Sequence, residues 1–375
     1  KLVFIYVKYL KINKNCRLKI MSILIIVGAR PNFMKCAPVL EHMLIKKIDF
    51  KLVHTGQHYD KNMSDDIFLD LGMPNPDFHM GVGSGSHAQQ TALIMKDFEK
   101  ICDKTKPKLV VVAGDVNSTL ACSLVASKKN IPIAHIESGL RSFDNSMPEE
   151  INRILVDRIS HLLFVTEQSG IDNLINEGIN RNKIHFVGNS MMDSLIKVSR
   201  TIENNNILDS FSVEKKNYCL VTLHRPSNVD GEANIKKVVK ILNKISRKLP
   251  VLFPIHPRTK KQLSSFDLSL SKRITICDAL SYKIFVNLLA NAKVVFTDSG
   301  GVQEETTFFN TPCITYRENT ERPITVKMGT NFLAGTDEEK VFKIFNQIMD
   351  GYKKIGKIPP KWDGKSGMRI TNIID

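Results

Sequence analysis

The chain has 375 residues, of which 42% are hydrophobic and 24% are charged, a balance typical of a folded protein long enough for two domains. Its formal net charge is +15, but six positive charges lie within residues 1–20. The others are scattered, without the basic and aromatic module of a nucleic-acid-binding protein. No apolar run approaches the length of about 18 residues that a membrane helix needs. We therefore expect neither a nucleic-acid partner nor a membrane span.

Residues 1–20 mix lysines with the short apolar run LVFIY. That run is too short for the core of a signal peptide, and no small-residue cleavage site follows it. Met21 directly precedes SILIIVG, which has the pattern of a first buried strand. We interpret residues 1–20 as a basic N-terminal extension or as the result of a misplaced start.

Short apolar runs then alternate with longer amphipathic stretches. The runs predicted to be strands are SILIIVG, FKLVHTG, KLVVVAG, IPIAHIES, HLLFVT and KIHFVGN. Such alternation is typical of βαβ units, which build a parallel sheet covered by helices on both faces. We predict a doubly wound, Rossmann-like domain over residues 21–195.

The same pattern restarts after the polar stretch ENNN, which we interpret as a linker. Its predicted strands are NYCLVTLHRP, KLPVLFPIHPR, RITICDALS, AKVVFTDSGG and TPCITYR. They predict a second Rossmann-like domain over residues 210–355, with the tail 356–375 packing back on the first domain. Two such domains facing each other place the carboxyl ends of their strands, where α/β proteins bind ligands, on a shared cleft.

The cysteines occur singly in apolar surroundings, without the paired spacing of a zinc or redox site. We expect buried thiols in a reducing cytoplasm. HExxH and similar metal-ligand spacings do not occur in the sequence, so we predict no metal. The seven cysteines are Cys16, Cys36, Cys102, Cys122, Cys219, Cys277 and Cys313.

The stretch VVFTDSGGVQEETTF reads as a strand, a turn and a helix. Ser299, Gly300 and Gly301 would present backbone N–H groups at the positive end of that helix, which suits a phosphate. Glu305 lies about one turn further on, within reach of ribose hydroxyls. The alternative is a tight turn with a serine cap. Because GxxxxGK[ST] is absent, the pattern favours a nucleotide-sugar site over a P-loop.

A second strand, turn and helix occurs in IIVGARPNFMKCAP. Arg30 and Lys35 are electrostatically unfavourable at a bare helix N-terminus, so their presence indicates an anion between them. The glycine-rich GVGSGSHAQQ does not follow a strand, and we interpret it as a flexible loop over the cleft. Because GxGxxG does not follow the first strand, we expect no bound NAD.

Several carboxylates stand where strands stop or helices start. Asp115 follows LVVVAG and Glu137 follows IPIAHI, so both should share the rim of the cleft, although Asp115 could simply cap a helix. Mutual repulsion and partial burial should raise a pKa there. Glu149 and Glu150 open the next helix. We expect Glu149 to pair with Arg153 and Glu150 to be a helix-capping acid.

Two further strand ends carry a histidine and an arginine. LVTLHRPSNV ends with His224 and Arg225, and LFPIHPRT contains His256 and Arg258. A lone histidine is usually structural, but two such pairs in one domain predict a diphosphate clamp, in which arginine supplies bidentate contacts.

Together these motifs resemble the non-hydrolysing UDP-N-acetylglucosamine 2-epimerase family. The motifs that carry the resemblance are GARPNFMK, TGQHYDKNM, GDVNSTLA, HIESGLRSFDNSMPEEINR, GNSMMD, HRPSN, DSGGVQEE and TERP, between about residues 21 and 340. The resemblance implies the glycosyltransferase-B type of fold, in which two Rossmann-like domains face each other across a cleft. It further implies a homodimer, no redox cofactor, and interconversion of UDP-GlcNAc and UDP-ManNAc through elimination of UDP and a 2-acetamidoglucal intermediate.

The resemblance also implies roles for single residues. The catalytic residues would be Asp115, Glu137, Glu149 and His224. The binding residues matched to the family's motifs are Arg30, Lys35, Phe285, Ser299, Gly300, Gly301, Glu305 and Arg322. Ala29, Asn32 and Leu280 replace residues that the family commonly has as Thr, Glu and Gln. LHRPSN and QHYDKN depart from the bacterial patterns G-H-R-R-E and Q-H-R-E tied to activation by a second UDP-GlcNAc, so activation is not carried over.

From the sequence we expect a cytoplasmic UDP-GlcNAc 2-epimerase that supplies ManNAc units for surface polysaccharide. Within the same fold the alternatives are hydrolysis of the intermediate and epimerisation of a modified UDP-diacetamido sugar. A glycosyltransferase that passes a sugar to an acceptor, and a non-catalytic UDP-sugar sensor, are the alternatives from other classes.

Overall fold

The computed structural model describes residues 23–57, 68–201, 207–352 and 354–375. The predicted extension 1–20, the polar ENNN stretch and most of QHYDKN lie outside the described residues. Within the described ranges no helix is both long enough and apolar enough to cross a membrane.

The first sheet has the strand order β3-β2-β1-β4-β5-β6-β7, and all its pairings are parallel. Its strands are β1 (Ile23–Val27), β2 (Phe50–His54), β3 (Phe78–His79), β4 (Leu109–Ala113), β5 (Ile133–Ser138), β6 (Leu162–Val165) and β7 (Ile184–Phe186). Both faces of the central strands are buried, which explains why they read as continuous apolar runs rather than alternating ones.

Helices follow most of these strands in chain order, and a short 3-10 turn lies at Arg181–Lys183. They are α1 (Arg30–Lys46), α2 (His87–Thr105), α3 (Asn117–Lys128), α4 (Pro148–Ile159), α5 (Gln168–Asn176) and α6 (Ser190–Ser199). Pro31 and Pro148 occupy the first turns of α1 and α4, where the missing N–H of proline costs nothing.

The second sheet is also parallel, in the order β10-β9-β8-β11-β12-β13. Its strands are β8 (Cys219–Thr222), β9 (Val251–Pro254), β10 (Ile274–Cys277), β11 (Val294–Thr297), β12 (Cys313–Thr315) and β13 (Asn331–Leu333). The helices from the end of the first sheet onward are α7 (Ile207–Ser210), α8 (Pro226–Val229), α9 (Glu232–Lys248), α10 (Pro257–Ser265), α11 (Tyr282–Asn291), α12 (Gly300–Phe308), α13 (Pro323–Lys327), α14 (Glu338–Met349) and α15 (Ser366–Ile374).

Each sheet reverses its strand order once, between β1 and β4 and between β8 and β11. The loops that leave the carboxyl ends of two such strands diverge and open a crevice, which is where open α/β sheets bind ligands. The predicted site motifs GARPN and GDVNS leave β1 and β4, and HRPSN and DSGG leave β8 and β11. The topology therefore positions all four motifs at the two crevices.

The tail returns to the first sheet after α14. Trp362, in this tail, is 1% exposed, and its indole Nε1 donates to the carbonyl oxygen of Thr166 at 3.3 Å. Helix α15 then packs along α1, and Gly367 lies so close to Pro38 that a Cβ atom would stand 2.6 Å from the proline carbonyl. The buried carboxylate of Asp193, in α6, accepts the Gly367 N–H at 2.7 Å. The tail thus ties the end of the chain to the first sheet.

The cysteines carry no disulfide among the described residues. The expectation of buried thiols is confirmed for Cys36, Cys102, Cys122, Cys219 and Cys313. Cys277 is partly exposed, and Cys16 lies outside the described residues.

Candidate active site

The turn after β1 is held by the side chain of Asn32. Its Oδ1 accepts the N–H groups of Gly28 and Ala29 at 3.2 and 3.1 Å, and its Nδ2 donates to the Ala113 carbonyl at 2.7 Å. A Cβ atom on Gly28 would stand 2.4 Å from the Ser118 hydroxyl oxygen, so the position requires glycine. Asn32 therefore ties the β1 turn to the end of β4, a role that the sequence alone did not reveal.

Glu137 is brought into the cleft by a backbone irregularity. The register of β5 against β6 shifts between Ile136 and Ser138, and Glu137 has φ = 70° in the left-handed region. Strained, bulged positions of this kind re-aim a side chain and are frequent at functional sites. The carboxylate Oε1 accepts from Lys35 Nζ at 2.7 Å and from Arg322 Nη2 at 3.0 Å.

The Glu137 cluster joins the two sheets. Lys35 and Glu137 belong to the first sheet and its helices, whereas Arg322 precedes α13 beside the second sheet. All three side chains are buried. The predicted residues Lys35, Glu137 and Arg322 are thus brought into direct contact across the cleft.

Asp115 pairs with Arg153, which we had expected to pair with Glu149. Its Oδ2 lies 2.5 Å from Arg153 Nη2, and the other end of the guanidinium reaches Glu150 at 2.8 Å. Burial acts to raise the pKa of Asp115, but Arg153, Lys35 and Arg322 outweigh it, and the pKa lies below its ordinary value. The expectation of a raised pKa from mutual repulsion was wrong for Asp115, because it considered the carboxylates and their burial but not these cations.

Two other expectations around α4 were wrong. Arg153 pairs with Glu150 rather than with Glu149, whose side chain is half-buried and makes no hydrogen bond within the described ranges. Glu150 does not cap α4 either: its carboxylate is fully buried and accepts the N–H groups of Ser142 and Phe143 at 2.9–3.0 Å. Glu150 therefore shapes the loop before α4.

Asp115 does not serve as the helix cap that we left open. The cap position of α3 is Val116, and a side-chain capping bond is not made there. The turn that holds Asp115 is instead fixed from below by His135, which is fully buried. Its Nε2 lies 2.8 Å from the Gly114 carbonyl oxygen and its Nδ1 lies 2.7 Å from Asp157.

On the opposite side of the cleft the ends of β8 and β11 share one carboxylate. Asp298 is fully buried and accepts the N–H groups of His224 and Arg225 at 3.1 and 2.9 Å, together with the Asn228 amide. Burial opposes ionisation, but His224 and these donors hold the pKa of Asp298 below its ordinary value. Because His224 Nδ1 faces Asp298 at 3.1 Å, its Nε2 is the nitrogen left for a ligand.

The glycine turn before α12 has the predicted form. Ser299 is the cap residue but makes no side-chain capping bond, so the serine-cap alternative is not observed and the helix N-terminus keeps free N–H groups. A Cβ atom on Gly300 would stand 2.5 Å from the Glu321 carboxylate, and one on Gly301 would touch Met191. The turn therefore needs glycine for close approach, as a phosphate cradle does.

Glu305 lies on the inner side of α12, where Tyr282 donates to it at 3.0 Å. Burial raises the pKa of Glu305 to about 7, against the opposing effect of Arg30. The Arg30 guanidinium stands 5.7 Å from the centre of the Tyr282 ring, so a residue of the first sheet reaches this acid. Phe285, one turn along α11 from Tyr282, is buried in the apolar cluster beneath it.

Of the two arginines in the predicted diphosphate clamp, the structure places one at the cleft and the other on the surface. Arg225 turns toward the cleft, where its Nε donates to the Asp298 carbonyl at 3.0 Å. His256 is exposed, lies 5.6 Å from the ring of His224, and accepts the Arg258 N–H at the start of α10. Arg258 pairs on the surface with Asp230 at 3.4 Å, so its inclusion in the clamp was wrong.

Besides Asp298, two more charged residues of the site, Glu321 and Arg317, escaped sequence reasoning. Glu321 pairs with Arg317 at 2.7 Å and stands 3.6 Å from Arg225, and these cations, despite burial, hold its pKa well below the ordinary value. Arg225 and Arg317 both approach the sulfur of Met147, at 3.8 and 3.9 Å. The available signal was the density of charges in YRENTERP, between a predicted strand and a proline.

The cleft thus sets cations and a glycine turn, suited to a diphosphate, opposite carboxylates from the first sheet. Groups of three or more metal-ligating side chains do not occur among the described residues. Two doubly wound parallel sheets with their crevices facing each other define a protein of the glycosyltransferase-B type.

Comparison with known proteins identifies the family. Residues 43–375 match the family model for UDP-N-acetylglucosamine 2-epimerase. The UDP-N-acetylglucosamine 2-epimerase of Methanocaldococcus jannaschii is 42% identical over 363 residues, which are 94% of this chain and 99% of that relative. The chain therefore belongs to the UDP-N-acetylglucosamine 2-epimerase family, and its fold and isomerase class agree with those expected from the sequence.

Two further similarities bear on the substrate. A crystal structure of the M. jannaschii enzyme in complex with UDP-GlcNAc and UDP aligns with a TM-score of 0.89 at 43% identity, covering 94% of this chain and 99% of that one. The UDP-2,3-diacetamido-2,3-dideoxy-D-glucuronate 2-epimerase of Pseudomonas aeruginosa is 42% identical over 328 residues, which are 86% of this chain and 90% of that relative.

Proposed function

We propose that this protein interconverts UDP-GlcNAc and UDP-ManNAc, and that Asp115, Glu137, Glu149 and His224 are its catalytic residues. The observation that carries the proposal is the contact of Arg322 with Glu137 at 3.0 Å, since it joins a carboxylate of the first sheet to the diphosphate side of the cleft. The proposed reaction breaks the C2–H and C1–O bonds to give UDP and 2-acetamidoglucal. UDP then adds back with the opposite configuration at C2.

The charges of the site fit this chemistry. The C2 hydrogen of a sugar is weakly acidic, so its removal must accompany departure of the diphosphate, whose developing charge needs nearby cations. Arg30, Lys35, Arg225 and Arg322, with the turn Ser299–Gly301, would supply that stabilisation. Inversion requires a proton acceptor on one face of C2 and a donor on the other. The lowered pKa of Asp115 keeps it ionised at neutral pH, as an acceptor must be.

His224 would act at the diphosphate. Asp298 fixes Nδ1 of the ring at 3.1 Å, which leaves Nε2 to face the cleft. Glu305 would accept the ribose hydroxyls, and Phe285 and His256 would lie along the nucleotide. The roles of Glu305 and Phe285 follow the family's motifs residue by residue, whereas that of His256 follows from its place at the end of β9.

The proposal is tested by incubating the protein with UDP-GlcNAc alone and following the anomeric proton signals by NMR. We expect UDP-ManNAc to appear with UDP-GlcNAc until a constant ratio is reached, without added cofactor. Accumulation of free UDP and ManNAc would instead establish the hydrolysing alternative. Absence of any new sugar, with turnover only after addition of an acceptor, would establish a glycosyltransferase.

A second substrate has a specific observation in its favour. The P. aeruginosa relative, whose name specifies a UDP-diacetamido-glucuronate, matches this chain at the same 42% identity as the M. jannaschii enzyme. Both substrates undergo inversion at C2, so the same carboxylates would serve. Comparing kcat/KM for the two UDP-sugars decides between them, and we expect UDP-GlcNAc to be preferred.

We further propose that the protein is a homodimer. Leu93 of α2 and Ile151 and Leu155 of α4 are 48%, 47% and 45% exposed, and both helices pack against α3. Exposed large apolar side chains on helices that share a neighbour favour a protein interface. We expect light scattering to give twice the mass of one chain for the unmodified protein. The Leu155→Glu variant should have the mass of one chain.

The free thiols support a reducing compartment. Six cysteines in the described ranges are unpaired, which suits the cytoplasm, where UDP-sugars would be converted for surface polysaccharide. Fractionation of cells that express the protein tests this location.

A further inference from the structure

The buried histidine of β5, His135, contacts the turn that carries Asp115. It is fully buried, and each of its ring nitrogens faces an oxygen atom. Nε2 stands 2.8 Å from the carbonyl oxygen of Gly114, and Nδ1 stands 2.7 Å from Oδ1 of Asp157. Because Gly114 directly precedes Asp115, the ring of His135 lies against the backbone of a proposed catalytic residue.

The two contacts of the ring require a hydrogen atom on Nε2. A carbonyl oxygen can only accept a hydrogen bond, so a bare Nε2 at this distance from the Gly114 carbonyl would be repelled. At Nδ1 the hydrogen can come from the ring, to a carboxylate, or from a protonated carboxyl group of Asp157. Whichever group holds that second hydrogen, His135 donates from Nε2 to the Gly114 carbonyl.

Asp157, the partner of the ring, is itself held in place. Its second oxygen, Oδ2, accepts the Gly139 N–H at 3.0 Å and stands 2.8 Å from Arg141 Nη1. Arg141 also donates to both carboxylate oxygens of Glu177, each at 2.7 Å. One oxygen of Asp157 therefore serves the loop after β5, and the other serves His135.

Helix α4 thereby holds the Asp115 turn at three points. Arg153 contacts the Asp115 carboxylate at 2.5 Å, and Asn152 donates to the Asp115 carbonyl at 2.8 Å. Asp157, one turn further along the same helix, reaches the preceding peptide carbonyl through the ring of His135. The side chain of Asp115 and the carbonyl groups on both sides of its Cα are therefore fixed from one helix.

The contact with His135 matters because Gly114 could otherwise turn. Gly114 has φ = 65°, in the left-handed region, and a glycine backbone rotates more freely than that of other residues. Its N–H donates to the Ile136 carbonyl at 3.0 Å, which does not fix the peptide that follows. Rotation of that peptide would move the Asp115 carboxylate, and the bond from His135 opposes the rotation.

We propose that His135 is a positioning residue, whose Nε2–H fixes the Gly114 carbonyl and so holds the Asp115 carboxylate in its place at the cleft. The inference rests on the proposed function, because Asp115 is assigned to proton transfer there. His135 is fully buried and acts through Asp115. Its effect should therefore fall on turnover, and not on the binding of UDP at the glycine turn before α12.

His135→Gln and His135→Asn separate the two contacts of the ring. The longer glutamine amide reaches about as far as Nε2 and can donate to the Gly114 carbonyl, whereas the asparagine amide reaches only about as far as Nδ1 and Asp157. Since each variant loses one buried hydrogen bond, we expect similar falls in melting temperature. We expect kcat for UDP-GlcNAc to fall by about 10²-fold in His135→Asn, the scale of a misplaced catalytic group, and much less in His135→Gln.

Three controls distinguish positioning from a general loss of structure. The UDP dissociation constant, measured by calorimetry, should be the same in both variants as in the unmodified protein. His42, on α1, stands 2.9 Å from the Pro38 carbonyl, and His42→Asn should keep the kcat of the unmodified protein. Because His135 is argued to act through Asp115, His135→Asn should lower kcat far less in an Asp115→Asn background than alone.

Two measurements do not depend on catalysis. Nitrogen NMR of the unmodified protein with labelled histidines should show a hydrogen on Nε2 of His135, whose signals are those absent from His135→Gln. Hydrogen exchange of the backbone amides of residues 114–118 should be faster in His135→Asn than in His135→Gln, because only the asparagine releases the turn.

The proposal would be overturned by a bare Nε2, by equal kcat values in His135→Gln and His135→Asn, or by an equal loss from His135→Asn in both backgrounds. If the unmodified protein does not convert UDP-GlcNAc, the proposed function fails by itself. Amide exchange then decides whether His135 holds the turn: faster exchange in His135→Asn would support that role, and equal rates in the two variants would overturn it.

Discussion

Arg153 is the nearest cation to Asp115, which we propose as a catalytic acid, and it helps to lower the pKa of that carboxyl. Its guanidinium joins Asp115 at 2.5 Å to the loop acid Glu150 at 2.8 Å, so it both ionises Asp115 and anchors it. Glu149, one residue before Glu150, is the acid of α4 without such a cation. Neighbouring glutamates in one sequence motif therefore have different surroundings, because the helix buries Glu150 and leaves Glu149 partly exposed.

Replacing Asp115 tests the catalytic assignment directly. Asp115→Asn keeps the shape but cannot accept a proton, so we expect turnover to fall by about 10²–10⁴-fold, the usual contribution of proton transfer. The surface acid Asp103, paired with Lys129, offers a matched control in Asp103→Asn. Steady-state kinetics and thermal unfolding of both variants provide the comparison. An active Asp115→Asn would remove this residue from the mechanism.

Replacing Arg153, the cation beside Asp115, leads to a separate prediction about the pH dependence of kcat/KM. Arg153→Met removes the positive charge that lowers the pKa of Asp115, and the burial that raises it remains. The pKa should therefore rise, and the acidic limb of the profile of kcat/KM against pH should move to higher pH. An unmoved acidic limb would show that another group governs it.

The sequence predicted which residues lie on the cleft better than it predicted which side chains they contact. Asp115, Glu137 and Arg322 stand at strand ends or in motifs, so their place on the cleft follows from chain order. Their partners come from elements distant in sequence: Arg153 lies 38 residues from Asp115, and Arg322 lies 185 from Glu137. Short-range sequence patterns carry no information on such pairs, which explains why the predicted direction of the pKa shift of Asp115 was wrong.

At the scale of elements, strand–turn–helix units place every functional group. Such units were predictable because buried parallel strands read as apolar runs that end in polar turns. The two-residue β3 and the three-residue β13 were missed, since so short a run does not stand out from its surroundings. The bulge at Glu137 was missed too, because HIES fits a regular strand equally well.

The turn before α12 offers a test of the phosphate cradle. Gly300→Ala places a Cβ atom 2.5 Å from the Glu321 carboxylate and must displace it from its arginines. We expect UDP binding to weaken by at least about tenfold, the effect of losing roughly one charge-assisted contact. Gly85→Ala is the matched control, since its nearest neighbour would stand at 3.6 Å. Equal UDP affinities in calorimetry would contradict the cradle.

For the molecule as a whole, the return of the tail to the first sheet is a separate source of stability. Asp193 accepts the Gly367 N–H, and burial raises its pKa from 3.8 to about 6. The folded protein therefore binds this proton more tightly than the unfolded chain. This contribution to the free energy of unfolding is lost as the pH rises from about 4 to 6.

Asp193→Asn should remove that dependence and keep the acceptor for Gly367. We expect its melting temperature to change less with pH between about 4 and 6 than that of the unmodified protein, and to be no lower at pH 7. The exposed Asp209→Asn is the control. Parallel curves of melting temperature against pH for all three proteins would refute the role of Asp193.

The proposed function requires the two crevices to face each other, since its carboxylates come from the first sheet and its glycine turn and Arg322 from the second. The most direct test of this arrangement is exchange at C2. Incubation with UDP-GlcNAc in deuterated water should introduce deuterium at C2 of both epimers without any acceptor, as mass spectrometry would detect. Asp115→Asn should suppress the exchange. Formation of UDP-ManNAc without deuterium at C2 would contradict proton removal at this site.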